Sequence, residues 1–323
     1  MHHIIINPAS RSGKGMKIWH QLLPILQQDK VAFQPYLTEK VGDATTIAKA
    51  LTTGLTAPIR IIILGGDGTI NEVLQGIQNF PLTHLAYLPT GSSNDFARDL
   101  NLETNPVKAL EKILHTDTLL EMDLGVLSCK RGYYDLNQVF YQEEYQRYFN
   151  ISSGIGFDAA VCEKALSSKI KNTLNHLGLG KLTYLGIALS LLLKGGNTDC
   201  VLTLDDAPPV RLPKLLFAAA MNHRYEGGGF LFAPDASHQD ARLNLCAAHS
   251  LSFQRALRIL PTAFSGNHLH FPEIYYHAAS KINLTTSTPL CVHTDGEVQI
   301  YANDIQFEIT NHKLNLIPTY ADH

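Results

Sequence analysis

A strand-like run that ends in three glycines around one aspartate most constrains how this 323-residue chain can fold. Residues 59–77 read IRIIILGGDGTINEVLQGI, an apolar β-branched run followed at once by GGDGT at 65–69. Apolar residues then recur at the spacing of an amphipathic helix, at Ile70, Val73, Leu74 and Ile77. We therefore predict a buried parallel strand, a glycine-rich turn and a helix N-terminus in direct succession.

The chemistry of this turn indicates an anionic ligand. Free backbone N–H groups and the positive end of the helix dipole attract anions, and glycine lets a phosphate approach the backbone closely. Asp67 would repel that phosphate unless a cation lay between them. The prediction is a metal-bound nucleotide, with Asp67 directed toward magnesium or a hydroxyl. The alternative is a tight turn that Asp67 caps.

Strand and helix patterns alternate around this segment. Strand-like runs occupy 3–7, 31–38, 59–64 and 83–89. Two helix candidates lie between them: KIWHQLLPILQQ, interrupted by Pro24, and DATTIAKALTTG, opened by Asp43 as its cap and closed by Gly54. This alternation predicts an α/β domain with parallel strands and ligand loops at their carboxyl ends.

The pattern changes near Asp123, after which most segments alternate like strands joined by short turns. One helical interval, about 160–195, interrupts them, and the tyrosine-rich 127–148 is expected to form a long exposed hairpin. We predict an α/β domain over 1–122 and a β-rich domain with a helical flap over 123–304. Periodicity leaves open whether 305–323 returns to the first domain.

Composition excludes several classes of protein. A net charge of −3 provides no basic field for nucleic acid, so no nucleic-acid partner is expected, and any membrane contact would be local. Five scattered cysteines are typical of reduced thiols. The N-terminal MHHIIINPAS lacks the pattern of a signal peptide, and the most apolar later stretch, 184–195, is about half a membrane span. We expect a cytosolic protein.

Three other motifs could carry chemistry, each with a structural alternative. NPASRSGKG (7–15) is not a P-loop but could line a phosphate or ribose; a solvated turn is the alternative. In PTGSSNDFARDL (89–100), Asp95 is either a helix N-cap or a group beside the transferred phosphate or the substrate hydroxyl, with Arg98 one turn on. HTDGEVQI (293–300) reads as a hairpin turn, unless Glu297 serves as a general base.

Taken together and in order, GGDGT-x-NE (65–72), PxGxxNDFAR (89–98) and DGE (295–297) resemble the diacylglycerol-kinase catalytic-domain family, especially its soluble bacterial lipid kinases. NP at 7–8, TEKxGDA at 38–44 and DLG at 123–125 extend the match over nearly the whole chain. The resemblance implies an NAD-kinase/diacylglycerol-kinase-like α/β domain and a sandwich-like second domain. It also implies an active site in the cleft between them and transfer of the γ-phosphate of ATP to a lipid hydroxyl.

By the same resemblance, Asp67, Asp95 and Asp123 would organise magnesium-ATP, and Glu297 would be the base with Asp295 beside it. A second, structural magnesium would lie at Ser237, Asp240 and Arg242, with the outer two binding mostly through their backbone carbonyls. The implied nucleotide-binding residues are Asn7, Pro8, Ala9, Ser10, Arg11, Thr38, Gly66, Asp67, Gly68, Thr69, Ile70, Asn71, Glu72 and Ser92.

The sequence also departs from the family pattern. Ser92 replaces the usual threonine after PxG and keeps its hydroxyl. In the second magnesium motif Ala241 replaces a glycine and Asn244 an aspartate, which puts that site in doubt. The first nucleotide loop is longer than the family's NPxSG, and the 127–148 segment is longer than the resemblance leads us to expect.

A soluble lipid kinase must meet a bilayer, so a membrane lipid substrate and a transient membrane contact are expected. The candidates are 182–195 and the lysine-rich 164–174, although burial in the core is the alternative for an apolar helix. Diacylglycerol, phosphatidylglycerol, a long-chain base and a prenol all remain open as acceptors. NAD kinase, phosphofructokinase and a catalytically silent lipid-binding module are the competing interpretations. A homodimer is the expectation for the oligomeric state, which no sequence feature determines.

Overall fold

The computed structural model describes residues 1–134, 141–167 and 198–322. The chain forms two compact units, one of Met1–Leu124 with Asn311–His323 and the other of Gly125–Thr310. Of the two predicted membrane segments, 182–195 lies outside the described residues, as does most of 164–174. No helix in the described ranges is both long and apolar enough to cross a bilayer.

The first unit is a parallel sheet with helices, as the sequence predicts. Its strands lie in the order β4-β3-β1-β2, and every neighbouring pair is parallel. The elements are β1 (His2–Ile6), α1 (Ser10–Gln28), β2 (Phe33–Leu37), α2 (Asp43–Thr52), β3 (Ile59–Gly65), α3 (Asp67–Gly76), β4 (Thr83–Pro89), α4 (Asp95–Asp99) and α5 (Pro106–His115).

Burial on both faces explains the continuous isoleucine runs of the central strands. Three successive residues of β1 and five of β3 are buried, the pattern of a parallel strand covered on both sides. Pro35 lies in β2 at the edge of the sheet, where a missing N–H costs no ladder bond. One face packs on α1 and α5, through Ile18, Trp19, Leu22, Leu26, Ala109, Leu110 and Ile113.

Two predicted helix boundaries are wrong. α1 continues through Pro24, because Leu22 and Leu26 on either side are buried in the core and offset the lost backbone bond. Its backbone departs from helical geometry earlier, at 11–13. Asp43 is the first residue of α2 and not its cap. Its Oδ2 instead accepts the N–H groups of Glu39 and Lys40, at 2.8 and 2.9 Å.

The second unit is rich in antiparallel strands, which confirms the predicted change of texture. β5 enters it from the first unit, and β13 leaves it again. The strands are β5 (Leu120–Tyr133), β6 (Tyr141–Phe149), β7 (Ser152–Gly156), β8 (Thr198–Leu204), β9 (Val210–Met221), β10 (Leu243–His249), β11 (Ile274–Ala279), β12 (Lys281–Thr294) and β13 (Glu297–Leu316).

These strands pair both with their neighbours in sequence and with more distant strands. The order is β11-β10-β9-β7-β12-β13, with β8 beside β9 and β12. β5 and β6 pair antiparallel from Gly125 with Phe149 to Tyr133 with Tyr141, the strand pair expected within 127–148. After its second-unit pairing, β13 ends in the first unit, where Asn315 and Leu316 lie parallel to β4.

Helical structure in the second unit extends beyond the predicted interval. α6 (Phe157–Ser167) lies at the start of that interval. Three further helical elements were not predicted from the sequence: α7 (Phe253–Ile259) and the 3₁₀ turns Leu260–Ser265 and Asn267–His270. The sequence contains one signal for α7, because serine is a favoured N-cap residue and Ser252 directly precedes this helix. In the structure its side chain accepts the Arg255 N–H at 3.3 Å.

Candidate active-site residues

Loops after three neighbouring strands of the first unit meet at the carboxyl edge of the sheet. Asn7, after β1, donates from Nδ2 to the Oγ1 of Thr69 in the glycine-rich turn at 3.1 Å. Ser10 Oγ lies 2.7 Å from the Oγ1 of Thr90, which follows β4. The structure therefore brings together Asn7, Ser10 and Thr69, three of the predicted nucleotide-binding residues.

Glycine is required here because the loops touch through their backbones. A Cβ on Gly65 would lie 2.5 Å from the side chain of Thr69. A Cβ on Gly91 would lie 2.8 Å from the Cα of Gly66. Since α3 begins at Asp67, its first backbone amides lie in the same loop. This is the local geometry expected for binding a phosphate.

Asp67 joins two loops from the first position of α3, where Gly66 is the N-cap residue. Asp67 Oδ2 accepts the backbone N–H of Asp95 at 3.0 Å, and Tyr87 donates its hydroxyl to Oδ1 at 3.4 Å. Burial first, and then the Asp67 carboxylate, raise the pKa of Tyr87 well above its usual value, so the phenol remains a donor.

Asp95 is buried at the first position of α4, and the N-cap is Asn94 in a left-handed conformation. The capping alternative for Asp95 is therefore wrong. Its Oδ1 accepts a bond from Arg98 Nη1 at 2.7 Å. This ion pair between adjacent turns matches the proximity of Asp95 and Arg98 expected from the sequence.

Asp123 is buried at the end of the first unit and pairs with the ammonium group of Lys313. Lys313 was not predicted as a partner, since it is 190 residues away in sequence. No local signal marks this lysine, because it is one of three successive polar residues in the strand-like NHKLNL. The lysine neutralises a carboxylate that would otherwise be costly to bury.

The other predicted nucleotide-binding residues divide into loop supports, buried helix positions and half-buried or exposed residues near the loops. Thr38 Oγ1 donates to the Ile6 carbonyl at 3.4 Å, and Glu72 Oε2 accepts the Gly42 N–H at 3.0 Å. Ile70 and Asn71 are buried in α3. Pro8, Ala9, Arg11, Gly68 and Ser92 lie in or beside the three loops.

In the second unit, Asp295 holds the turn that carries Glu297. Asp295 Oδ1 accepts the N–H groups of Ile151 at 2.8 Å and Ser152 at 3.1 Å, and Oδ2 accepts that of Asn150 at 3.1 Å. Asp295 has φ 50° and Gly296 φ 81°, which is hairpin-turn geometry. Glu297 begins β13 opposite Thr294. These bonds fix the turn from its Asp295 side.

A buried histidine lies directly before this turn, and the sequence analysis assigned it no role. His293 Nε2 is 3.1 Å from Asp158 Oδ2 and 3.2 Å from Glu226 Oε1. Burial lowers the pKa of His293, and the carboxylates of Glu226 and Asp158 raise it, because they favour a proton on the nitrogen that faces them. The Gly296 N–H opposes a second ring proton, because it donates to Nδ1 at 3.1 Å. We therefore assign the ring proton to Nε2.

The predicted second magnesium site forms a hydrogen-bonded turn. Asp240 Oδ1 accepts the Arg242 N–H at 3.0 Å, and the Arg242 guanidinium donates to the Ala278 carbonyl at 2.6 Å. Ser237 Oγ accepts a longer bond from Gln239 at 3.4 Å. These bonds involve the side chains and the Arg242 N–H, whereas the predicted site uses the Asp240 carboxylate with the backbone carbonyls of Ser237 and Arg242. The second magnesium site therefore stays a prediction, and no step is derived through this ion.

Ala241 adopts the conformation of the glycine that the family motif has at this position. Its φ is 58°, in the left-handed region that costs an L-residue about 1–2 kcal/mol. We expect Ala241→Gly to raise the free energy of unfolding by about 0.5–1 kcal/mol, after the entropic cost of glycine. Urea unfolding of the parent and the variant measures this difference. Ala236→Gly is the control, and equal or lower stability of Ala241→Gly would contradict the expectation.

Comparison with known proteins agrees with this geometry. The diacylglycerol kinase catalytic domain family matches residues 2–127, and the YegS C-terminal NAD kinase beta sandwich-like domain matches residues 152–317. The first match contains the strand-end loops with Asp67 and Asp95, and the second contains the turn with Glu297. The chain is thus a two-domain kinase of the lipid kinase class, with an α/β catalytic domain and a sandwich-like second domain.

Named relatives place the chain more narrowly. It is 27% identical over 298 residues to "Putative lipid kinase YtlR" of Bacillus subtilis, covering 91% of this chain and 92% of that protein. It is 28% identical over 301 residues to "Diacylglycerol kinase" of Staphylococcus carnosus, covering 91% of this chain and 87% of that one. The protein belongs to the diacylglycerol kinase-like family, which confirms the resemblance found in the sequence.

Solved structures share the fold. "A putative diacylglycerol kinase from Bacillus anthracis str. Sterne" superposes with a TM-score of 0.71 at 21% identity, covering 99% of this chain and 97% of that one. An NAD kinase from Archaeoglobus fulgidus in complex with ATP superposes with a TM-score of 0.52 at 12% identity, covering 99% and 94%. Both confirm the predicted fold class.

Proposed function

We propose that this protein transfers the γ-phosphate of magnesium-ATP to a lipid hydroxyl, with diacylglycerol as acceptor and phosphatidic acid as product. The observation that carries the proposal is the bond from the Asp95 N–H to Asp67 Oδ2, at 3.0 Å. It holds two carboxylate-bearing loops together beside the glycines at the ends of β3 and β4. Phosphoryl transfer requires such positioned oxygen ligands and backbone amides.

The donor set in the first unit fits magnesium-ATP. Magnesium prefers oxygen ligands and is usually held by one or two carboxylates together with phosphate oxygens. In the proposal Asp67 and Asp95 hold the ion, and Asp123 is the third carboxylate of the set. When bound, the ion neutralises charge on the phosphates. Arg98 and the amides at the start of α3 supply further positive charge from the chain itself.

Glu297 is the proposed base. Its carboxylate would accept the proton of the lipid hydroxyl as that oxygen attacks the γ-phosphorus, while the bond from the γ-phosphorus to the β-phosphate oxygen breaks and ADP leaves. The Asp295 turn supports this role, because three backbone amides hold Asp295 and so fix the residue two positions before Glu297. A carboxylate in a fixed turn loses little freedom when the hydroxyl arrives.

Phosphotransfer to a panel of lipids tests the proposal. The protein is incubated with magnesium and ATP labelled at the γ-phosphate, and with vesicles that contain diacylglycerol, phosphatidylglycerol, a long-chain base or a prenol. We expect labelled phosphatidic acid from the diacylglycerol vesicles, identified by mass. If another lipid were labelled instead, that lipid would be the acceptor, and the proposal of a lipid kinase would still hold.

The same experiment separates the kinase from a catalytically silent lipid-binding protein. Calorimetry with magnesium-ATP is run beside it. If the protein neither bound magnesium-ATP nor produced labelled lipid, the proposal would be overturned in favour of the silent protein. Sedimentation with the same vesicles tests the transient membrane contact, and analytical ultracentrifugation tests the expected homodimer.

A further inference from the structure

The buried cluster of His293, Asp158 and Glu226 lies directly behind the turn that carries the proposed base. His293 is near the end of β12, and 1% of its surface is exposed. It pairs in register with Gly154 of β7, and Asp158 lies at the start of α6. Three elements of the second unit therefore converge on one imidazole ring.

The hydrogen bonds determine what this ring can do. Nδ1 accepts the Gly296 N–H at 3.1 Å, which occupies its lone pair, so in the neutral ring the proton is on Nε2. Nε2–H then donates to Asp158 Oδ2 at 3.1 Å, with Glu226 Oε1 at 3.2 Å. The three side chains are close enough to surround a metal ion. With a metal on Nε2, the proton of the neutral ring would have to be on Nδ1, where it would face the Gly296 N–H, so hydrogen bonding describes the cluster better.

Gly154 shows how closely the cluster is packed. A Cβ at this position would lie 2.6 Å from His293 Nε2 and closer still to Asp158 Oδ2. No side chain fits there unless the His293–Asp158 bond moves. The bare backbone of β7 is therefore part of the surface that orients the ring.

We propose that His293 is a positioning residue that orients Glu297 through the backbone of Gly296. Asp158 and Glu226 fix the ring at Nε2, and Nδ1 fixes the Gly296 amide, one residue before Glu297. Asp295 holds the other side of the same turn through its three amide bonds. The inference rests on the proposed function, in which Glu297 is the base.

Two substitutions test separately the hydrogen bonds made by the two nitrogens of the ring. In His293→Asn the side-chain oxygen can take the place of Nδ1 and accept the Gly296 N–H, but the bond to Asp158 is lost. In His293→Gln the terminal amide can reach the position of Nε2 and donate to Asp158, but the Gly296 bond is lost. If orientation of Glu297 matters, His293→Gln loses more turnover than His293→Asn.

The measurement is steady-state lipid phosphorylation with each folded variant, together with its thermal unfolding. We expect kcat of His293→Gln to fall ~10- to ~10²-fold, as for a misplaced reacting group, with the KM for ATP unchanged. His293→Asn should retain more of its kcat although it loses stability. Gly154→Ala, which displaces the His293–Asp158 pair without changing the imidazole itself, should also lower kcat.

His268→Gln is the matched control, because His268 is a second buried histidine of this unit that bonds to the Phe232 carbonyl. It should lose stability and keep its kcat. Equal kcat in His293→Gln and the parent, with Glu297→Gln inactive, would overturn the positioning role and leave the proposed function intact. Equal loss in the Asn and Gln variants, in proportion to their folded fraction, would overturn it too. An active Glu297→Gln would instead refute the base assignment.

Discussion

Glu297→Gln is expected to lower kcat for lipid phosphorylation by ~10²–10⁴-fold, the usual effect of removing a well-placed general base. Glutamine keeps the size of the side chain and its place at the start of β13, but its amide cannot accept the proton of an attacking hydroxyl. The nucleotide loops belong to the first unit, so the affinity for magnesium-ATP should not change. The loss should therefore appear in kcat alone.

The measurement combines initial rates at saturating ATP with calorimetric ATP binding and thermal unfolding of the same samples. Glu308→Gln is a matched control, because Glu308 lies in β13 as well and accepts a bond from Gln306 at 2.9 Å. It should keep the parent rate. If a normally folded Glu297→Gln kept full turnover, Glu297 would not be the general base.

Local sequence patterns predict the first unit well because its strands are buried on both faces. The isoleucine runs of β1 and β3 need no distant information to be recognised as parallel strands. The helix through Pro24 could not be foreseen in this way. Propensity favours a break there, and only the tertiary burial of Leu22 and Leu26 overrides it.

The candidate site is predictable as a set of motifs but not as a set of contacts. GGDG and NDFAR mark Asp67 and Asp95, yet the bond between them depends on β3 and β4 being neighbours in register. The pair of Asp123 and Lys313 depends on where a strand 190 residues later ends. Periodicity carries no information of that kind.

The turn at 295–297 shows why a structural and a functional interpretation need not exclude each other. Asp295 and Gly296 have the positive φ values of a hairpin turn, as the DG pair predicts. The Asp295 carboxylate also accepts three backbone amides from residues about 145 positions earlier in sequence. Only the fold could reveal those bonds, and they keep Asp295 buried and fixed beside the proposed base.

Asp295→Ala is expected to lower the free energy of unfolding by about 3–5 kcal/mol, because the N–H groups of Asn150, Ile151 and Ser152 lose a charged acceptor within the fold. Asp295→Asn should lose less, about 1–3 kcal/mol. Its oxygen can still accept from Ile151 and Ser152, but its NH₂ group would face the Asn150 N–H.

Urea unfolding of the parent and three variants measures these differences. Asp295→Gly is the control for backbone strain, since glycine adopts the φ of 50° freely and also lacks an acceptor. If the lost acceptor dominates, the glycine and alanine variants are both strongly destabilised and the asparagine variant lies between them and the parent. If the glycine variant were as stable as the parent, the amide bonds would contribute little, and Asp295 would be retained for the reaction itself. Normal stability with a lowered kcat in Asp295→Asn would lead to the same conclusion.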